Sequence, residues 1–209
     1  MKKLSVIILL VSFTAIFLLS KCDTTSGKPE EASADAMPVT AAVSYGGYST
    51  PEEWGHHIVT IADCGNCHTP KKMTAMGPVE DEDLAFSGHP SAMPFPDVHR
   101  KEMETNHLFY SADLTSWVGP WGVSFAANIT SDSTTGIGTW SEEQFITCLR
   151  KGKYMGLDKA RNLLPPMPWP AFSKMTDDEL KAVFAYLKST KPIHNIVPQP
   201  MPPLLADKK

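Results

Sequence analysis

The residues richest in chemistry are DCGNCHTP, 63 to 70. Two cysteines stand three positions apart, and a histidine follows the second at once. Three chemistries use such a pair: thiol–disulfide exchange, half of a zinc site, and covalent attachment of a haem. Only the last needs every residue present. Each thiol adds to one vinyl group of the same porphyrin, so the two must stand about one helical turn apart. The next residue then lies under the iron. Cys64 and Cys67 are therefore the predicted attachment sites for one haem c, and His68 is the predicted proximal ligand. A thiol-exchange pair expects a strand–helix setting and does not need the histidine. A structural zinc site needs a second ligand pair, and Cys148 with a distant histidine is poor material for one.

Haem iron has a sixth position. A methionine there stabilises ferrous iron and raises the reduction potential. Among the methionines, Met167 in LLPPMPWP, 163 to 170, stands out, because Pro165, Pro166 and Pro168 fix the backbone around it. Met155 follows a basic turn and Met175 touches a helix cap, which makes both weaker candidates. Met167 is the predicted distal ligand, with a packing methionine in a proline loop as the alternative.

Three helices must position these residues. Thr50, Pro51 and Glu53 form a start signal ahead of Trp54, Ile58 and Ile61, so a helix runs into the CxxCH motif. His56 and His57 fall on its solvated face. Ser141 to Gln144 opens a second helix, WSEEQFITCLRKG, with Phe145, Cys148 and Leu149 on one face and Gly152 at its end. Cys148 is read as a small core residue. Thr176 to Glu179 caps a third helix, in which Leu180, Val183, Phe184 and Leu187 recur at helical spacing. Residues 69 to 139 hold no long periodic run, only a possible short strand in GPWGVSF. They read as a long loop wrapping the haem edge. His89, His99 and His107 are read as loop or propionate-contacting residues.

The ends of the chain carry other signals. Met1 to Lys3 is basic and Leu4 to Leu19 is apolar, which predicts an export signal over 1–21. Leu19-Ser20-Lys21-Cys22 resembles a bacterial lipoprotein cleavage box, with Lys21 where a small residue is usual, so Cys22 is the predicted lipidation site. Residues 22–48 form a polar tether, 49–198 the haem domain, and 199–209 an extended proline-rich tail. The whole chain has a formal charge of −4, and loss of Lys2, Lys3 and Lys21 takes the exported part to −7. With no basic run to follow phosphates, nucleic acid is not an expected partner. The expected partners are redox proteins and, through the lipid, a membrane on the periplasmic side.

CGNCHTP, NITSDSTTGIGTW (128 to 140), FITCLRKG, LLPPMPWPAF, and MTDDELKAVFAYLKST with KPIHNIVP after it together make the sequence resemble the class I c-type cytochromes. More narrowly, it is similar to the haem domains of cytochrome subunits of periplasmic dehydrogenases. The resemblance covers about residues 50–198. It implies an all-α, cytochrome c-like three-helix fold around one covalently bound haem, with a long irregular loop between the first and second helices. It implies His68 and Met167 as the axial pair, and places Asn128, Thr130 and Trp140 at the haem edge. Two departures stand out: this chain has one CxxCH where such subunits usually carry several, and its loop after the motif is longer than in small cytochromes.

The expected function is electron transfer by a single-haem cytochrome with no catalytic residues of its own. A haem-bearing subunit of a dehydrogenase or oxidase is the alternative. A haem enzyme or a sensor would need an open distal site, against which the proline-braced Met167 argues.

Overall fold

Thr50 accepts a hydrogen bond from the Glu53 N–H at 3.1 Å, and Pro51 opens helix α1 (Pro51–Ile61). A fixed φ and a missing N–H cost nothing at that position. In the computed structural model, residues 45–93, 95, 99–106 and 109–204 are described. The predicted signal, Cys22, His107 and most of the tether lie outside them. Helix α2 (Cys64–His68) follows α1 after a two-residue turn. After it come two short helices and two long ones: α3 (Arg100–Thr105), α4 (Glu142–Lys151), α5 (Trp169–Phe172) and α6 (Asp177–Ser189).

Helices α4 and α6 both begin with complete capping boxes, Ser141 with Gln144 and Thr176 with Glu179. Gly152 ends α4 in the left-handed region at φ 61°, as its sequence position predicts. The core is built where α1, α4 and α6 meet, from Ile58, Val59, Phe145, Leu149, Leu180, Val183, Phe184 and Leu187. Phe145 and Phe184 pack with ring centroids 5.2 Å apart. Cys148 on α4 is also buried, 6% exposed, but lies outside that cluster. Helices α1 and α6 approach so closely that a Cβ on Gly55 would lie 1.9 Å from the Ala182 carbonyl oxygen.

The expectation of an all-α three-helix fold is corrected here. Among the described residues five strands form two antiparallel sheets, so the fold is mixed α and β. Strands β1 (Lys71–Thr74) and β2 (Gly77–Glu80) make a hairpin directly after the CxxCH helix. Strands β3 (Phe109–Tyr110), β4 (Ser116–Gly119) and β5 (Gly122–Phe125) make a three-stranded sheet in chain order. The stretch between the first and second expected helices is therefore organised structure and not one irregular loop. The misreading has a physical cause. All four residues of β4 are buried, as are the first three of β5, so neither strand shows the alternation that marks a half-buried strand. The β1–β2 hairpin is nearly all exposed and equally lacks an apolar face.

Downstream of α6 the chain runs without regular structure as a strap across the fold. Met201 pairs with Val123 through two backbone hydrogen bonds of 2.9 and 3.0 Å, extending the β5 edge. Glu104, 3% exposed, holds the Arg100 guanidinium at 2.8 Å and accepts the Leu204 N–H at 2.8 Å. Arg100 also donates to the Pro202 carbonyl. Among the described residues no helix is long and apolar enough to cross a membrane.

Candidate haem-attachment site

Helix α2 is five residues long, and its sequence is the motif itself, CGNCH. Asp63 precedes it in the left-handed region at φ 56°, which turns the chain sharply out of α1. One helical turn separates Cys64 from Cys67, so both thiols lie on one side of α2. Both are free and partly exposed. Burial, reinforced by the Asp63 charge, pushes the Cys64 thiol up to about 11. Burial also raises Cys67. Neither resembles the low-pKa thiolate of an exchange-active pair. The zinc alternative also lacks material: among the described residues no group of three or more His, Cys, Asp or Glu side chains is placed to hold a metal ion.

His68 closes the motif. Its Nδ1 lies 2.7 Å from the Ala127 carbonyl oxygen. A carbonyl only accepts, so Nδ1 carries the hydrogen and Nε2 is left with its lone pair. That is the tautomer a metal-ligating histidine needs. Burial lowers the His68 pKa and so favours the neutral ring, against the opposing effect of the bond to Ala127. Two thiols one turn apart and an adjacent histidine with Nε2 open are the donor set a c-type haem requires, so the residues present fit that group.

Met167 is partly buried and packs against the helical core. Its loop is braced on both sides. The Ser124 hydroxyl on β5 donates to the Pro165 carbonyl at 2.6 Å, and Leu163 N–H donates to Gly152 O at 2.7 Å. Trp169, just beyond, lies against Gly152, where an added Cβ would meet its ring at 2.4 Å. The structure thus adds tertiary anchors to the stiffness that the prolines supply.

The three residues expected at the haem edge divide. Trp140 is partly buried against the core. Asn128 and Thr130 are buried and bonded to each other, Thr130 Oγ1 donating to Asn128 Oδ1 at 2.7 Å. Both amide hydrogens of Asn128 are engaged within the protein, on Thr135 Oγ1 at 3.0 Å and Ile193 O at 2.8 Å. His89 is buried between Thr115 Oγ1 and the Met93 carbonyl, at 2.7 and 2.8 Å. His56, His57 and His99 are exposed. Sequence reasoning missed the Ala127 carbonyl and Ser124. A backbone acceptor carries no residue-type signal, and a single serine in an unrecognised strand offers little more.

These residues fit what a c-type haem attachment site would need, and the comparisons with known proteins bear on that candidate. The chain is 37% identical over 140 residues to the cytochrome c subunit of a quinone alcohol dehydrogenase of Gluconobacter oxydans, covering 66% of this chain and 21% of that protein. It is 27% identical over 140 residues to the fructose dehydrogenase cytochrome subunit of Gluconobacter japonicus, with the same two coverages of 66% and 21%. It is 35% identical over 79 residues to the gluconate 2-dehydrogenase cytochrome c subunit of Pantoea cypripedii, covering 38% of this chain and 16% of that one. No family profile matches the chain. The chain therefore resembles cytochrome c subunits of dehydrogenases, and it spans about a fifth or less of the length of these relatives.

Proposed function

We propose that this chain is an electron-transfer protein carrying one covalently attached haem c. The observation that carries the reading is the His68 geometry: within CxxCH, Nδ1 is held by the Ala127 carbonyl and Nε2 is free to ligate. When bound, the haem supplies one-electron Fe(III)/Fe(II) chemistry. Cys64 and Cys67 would hold it, and His68 would ligate its iron. Met167, in a loop braced by Ser124 and the flanking prolines, would be the second protein ligand. With two side chains ligating, water, O₂ and peroxide would be kept from the metal and outer-sphere transfer would remain. Trp140 borders the haem edge in this reading, and Asn128 and Thr130 act there through the backbone they brace. Cys22, lipidated after export, keeps the domain near membrane-bound donors and acceptors on the periplasmic side. Similarity to dehydrogenase cytochrome subunits favours a second, narrower role, in which the chain docks on a dehydrogenase and relays its electrons.

The test is the near-infrared spectrum of the oxidised protein, matured with a cytochrome c assembly system. A weak sulfur-to-ferric-iron charge-transfer band is expected in wild type and is lost in Met167→Ala. A wild type without the band that binds cyanide readily overturns the His/Met assignment. Purification with or without a bound dehydrogenase separates the subunit role from that of a free carrier.

A further inference from the structure

Asn195 lies in the strap after α6, remote in sequence from the attachment motif. Its amide is fully used. Nδ2 donates to the Ser87 and His89 carbonyls, both at 2.8 Å, and Oδ1 accepts the Ser91 N–H at 3.0 Å. The reversed amide would face two carbonyl oxygens with a third oxygen, so this orientation is fixed. The loop it grips is the one that presses on the His68 partner. Gly88 N–H donates to His68 O at 2.8 Å, and His89 N–H to Ala126 O at 3.0 Å. A Cβ on Gly88 would stand 2.7 Å from the Ala127 oxygen and 2.6 Å from its carbonyl carbon. At φ 77° and with this packing the position takes only glycine.

The same strap holds the far side of that carbonyl. Ala127 C=O belongs to the peptide that leads into Asn128, whose side chain is tied to Ile193 O, two residues before Asn195. Thr135 Oγ1 joins the two asparagines: it accepts from Asn128 Nδ2 and from the Asn195 N–H, each at 3.0 Å.

We propose that Asn195 is a positioning residue for His68: by clamping the 87–91 loop and the Asn128 segment it sets the Ala127 carbonyl against Nδ1 and so tunes the reduction potential. This rests on the haem reading above. The carbonyl draws on the Nδ1 proton and makes the ring a stronger donor, which favours ferric iron. Loosening the clamp weakens that pull and raises the potential. Mere loosening of the fold acts with the opposite sign, because water reaching the haem favours the more highly charged ferric state.

The experiment is a spectroelectrochemical titration of wild type, Asn195→Ala and the milder Asn195→Ser, all neutral changes. At the wild-type midpoint the ferrous-to-ferric ratio is expected to rise about threefold in Asn195→Ala, about 28 mV at about 59 mV per tenfold for one electron. Asn195→Ser is expected to fall between the two, and serves alone if the alanine variant does not accumulate. A potential that is unchanged or lowered in a haem-loaded variant overturns the positioning role. A wild type that takes up no haem overturns the proposed function itself, and its visible spectrum shows this before any variant is made.

Discussion

Ser124 illustrates how one hydroxyl serves the candidate distal side. It donates to the Pro165 carbonyl at 2.6 Å and accepts the Trp121 indole N–H at 3.2 Å. Ser124→Ala leaves both partners without their bond in a mostly buried setting. The expected cost is about 1–3 kcal/mol, read from urea unfolding, together with a weaker near-infrared band as the Met167 loop loosens. Asp132 carries a prediction of a different kind. Hydrogen bonds from the Thr135 side chain and N–H, and from Thr134, hold its pKa well below the usual carboxylate range. A depressed folded-state pKa stabilises the fold above the unfolded value of about 3.9, and that stability is lost as pH falls through the folded value. Wild type is therefore expected to exceed Asp132→Asn in urea midpoint at pH 6, with the gap closing as the pH drops below about 3. An equal gap at both pH values would sink the assignment. At this scale the CxxCH motif could be read from its own five residues, whereas the Ala127 carbonyl that meets His68 could not. Asn128 was picked out by the family resemblance, and only its tertiary partners show that its amide hydrogens are already taken.

Helices and strands differ in how much they disclose beforehand. The starts of α1, α4 and α6 were readable because a cap is decided within four residues: Thr50 with Glu53, Ser141 with Gln144, Thr176 with Glu179. Thr176→Ala is expected to cost about 1 kcal/mol in chemical denaturation. The α1–α6 crossing is less forgiving. A methyl on Gly55 must displace the Ala182 carbonyl, so Gly55→Ala is expected to destabilise by about 1–3 kcal/mol or more despite its better helix propensity. A neutral or stabilising Gly55→Ala would show that the two helices are set further apart. The sheets escaped sequence reading for the reverse reason. β4 is defined by burial on both faces and by pairing with β3 and β5, and neither is written in its own four residues.

At the scale of the whole molecule, the strap after α6 joins parts that the sequence keeps far apart. It pairs with β5 at Met201, meets α3 through Leu204 and Glu104, and grips the 87–91 loop through Asn195. Removing residues 199–209 strips the partner from the β5 edge and leaves Glu104 short of an N–H. The expected result is a lower Tm, at about 2–4 °C per kcal/mol lost for a chain of this size, with more aggregation from the bared strand. Unchanged light scattering and Tm would show that the edge needs no cover. The long range of these links also divides the site in time. The CxxCH motif is complete within five residues. The His68–Ala127 bond spans 59 residues, and the Asn195 clamp on His89 spans 106. Loops of that size close late, because their entropy is lost before their contacts form. If the chain takes up haem as proposed, attachment and tuning would be separable events: a haem joined early would wait, loosely ligated, until the strap closes on the 87–91 loop.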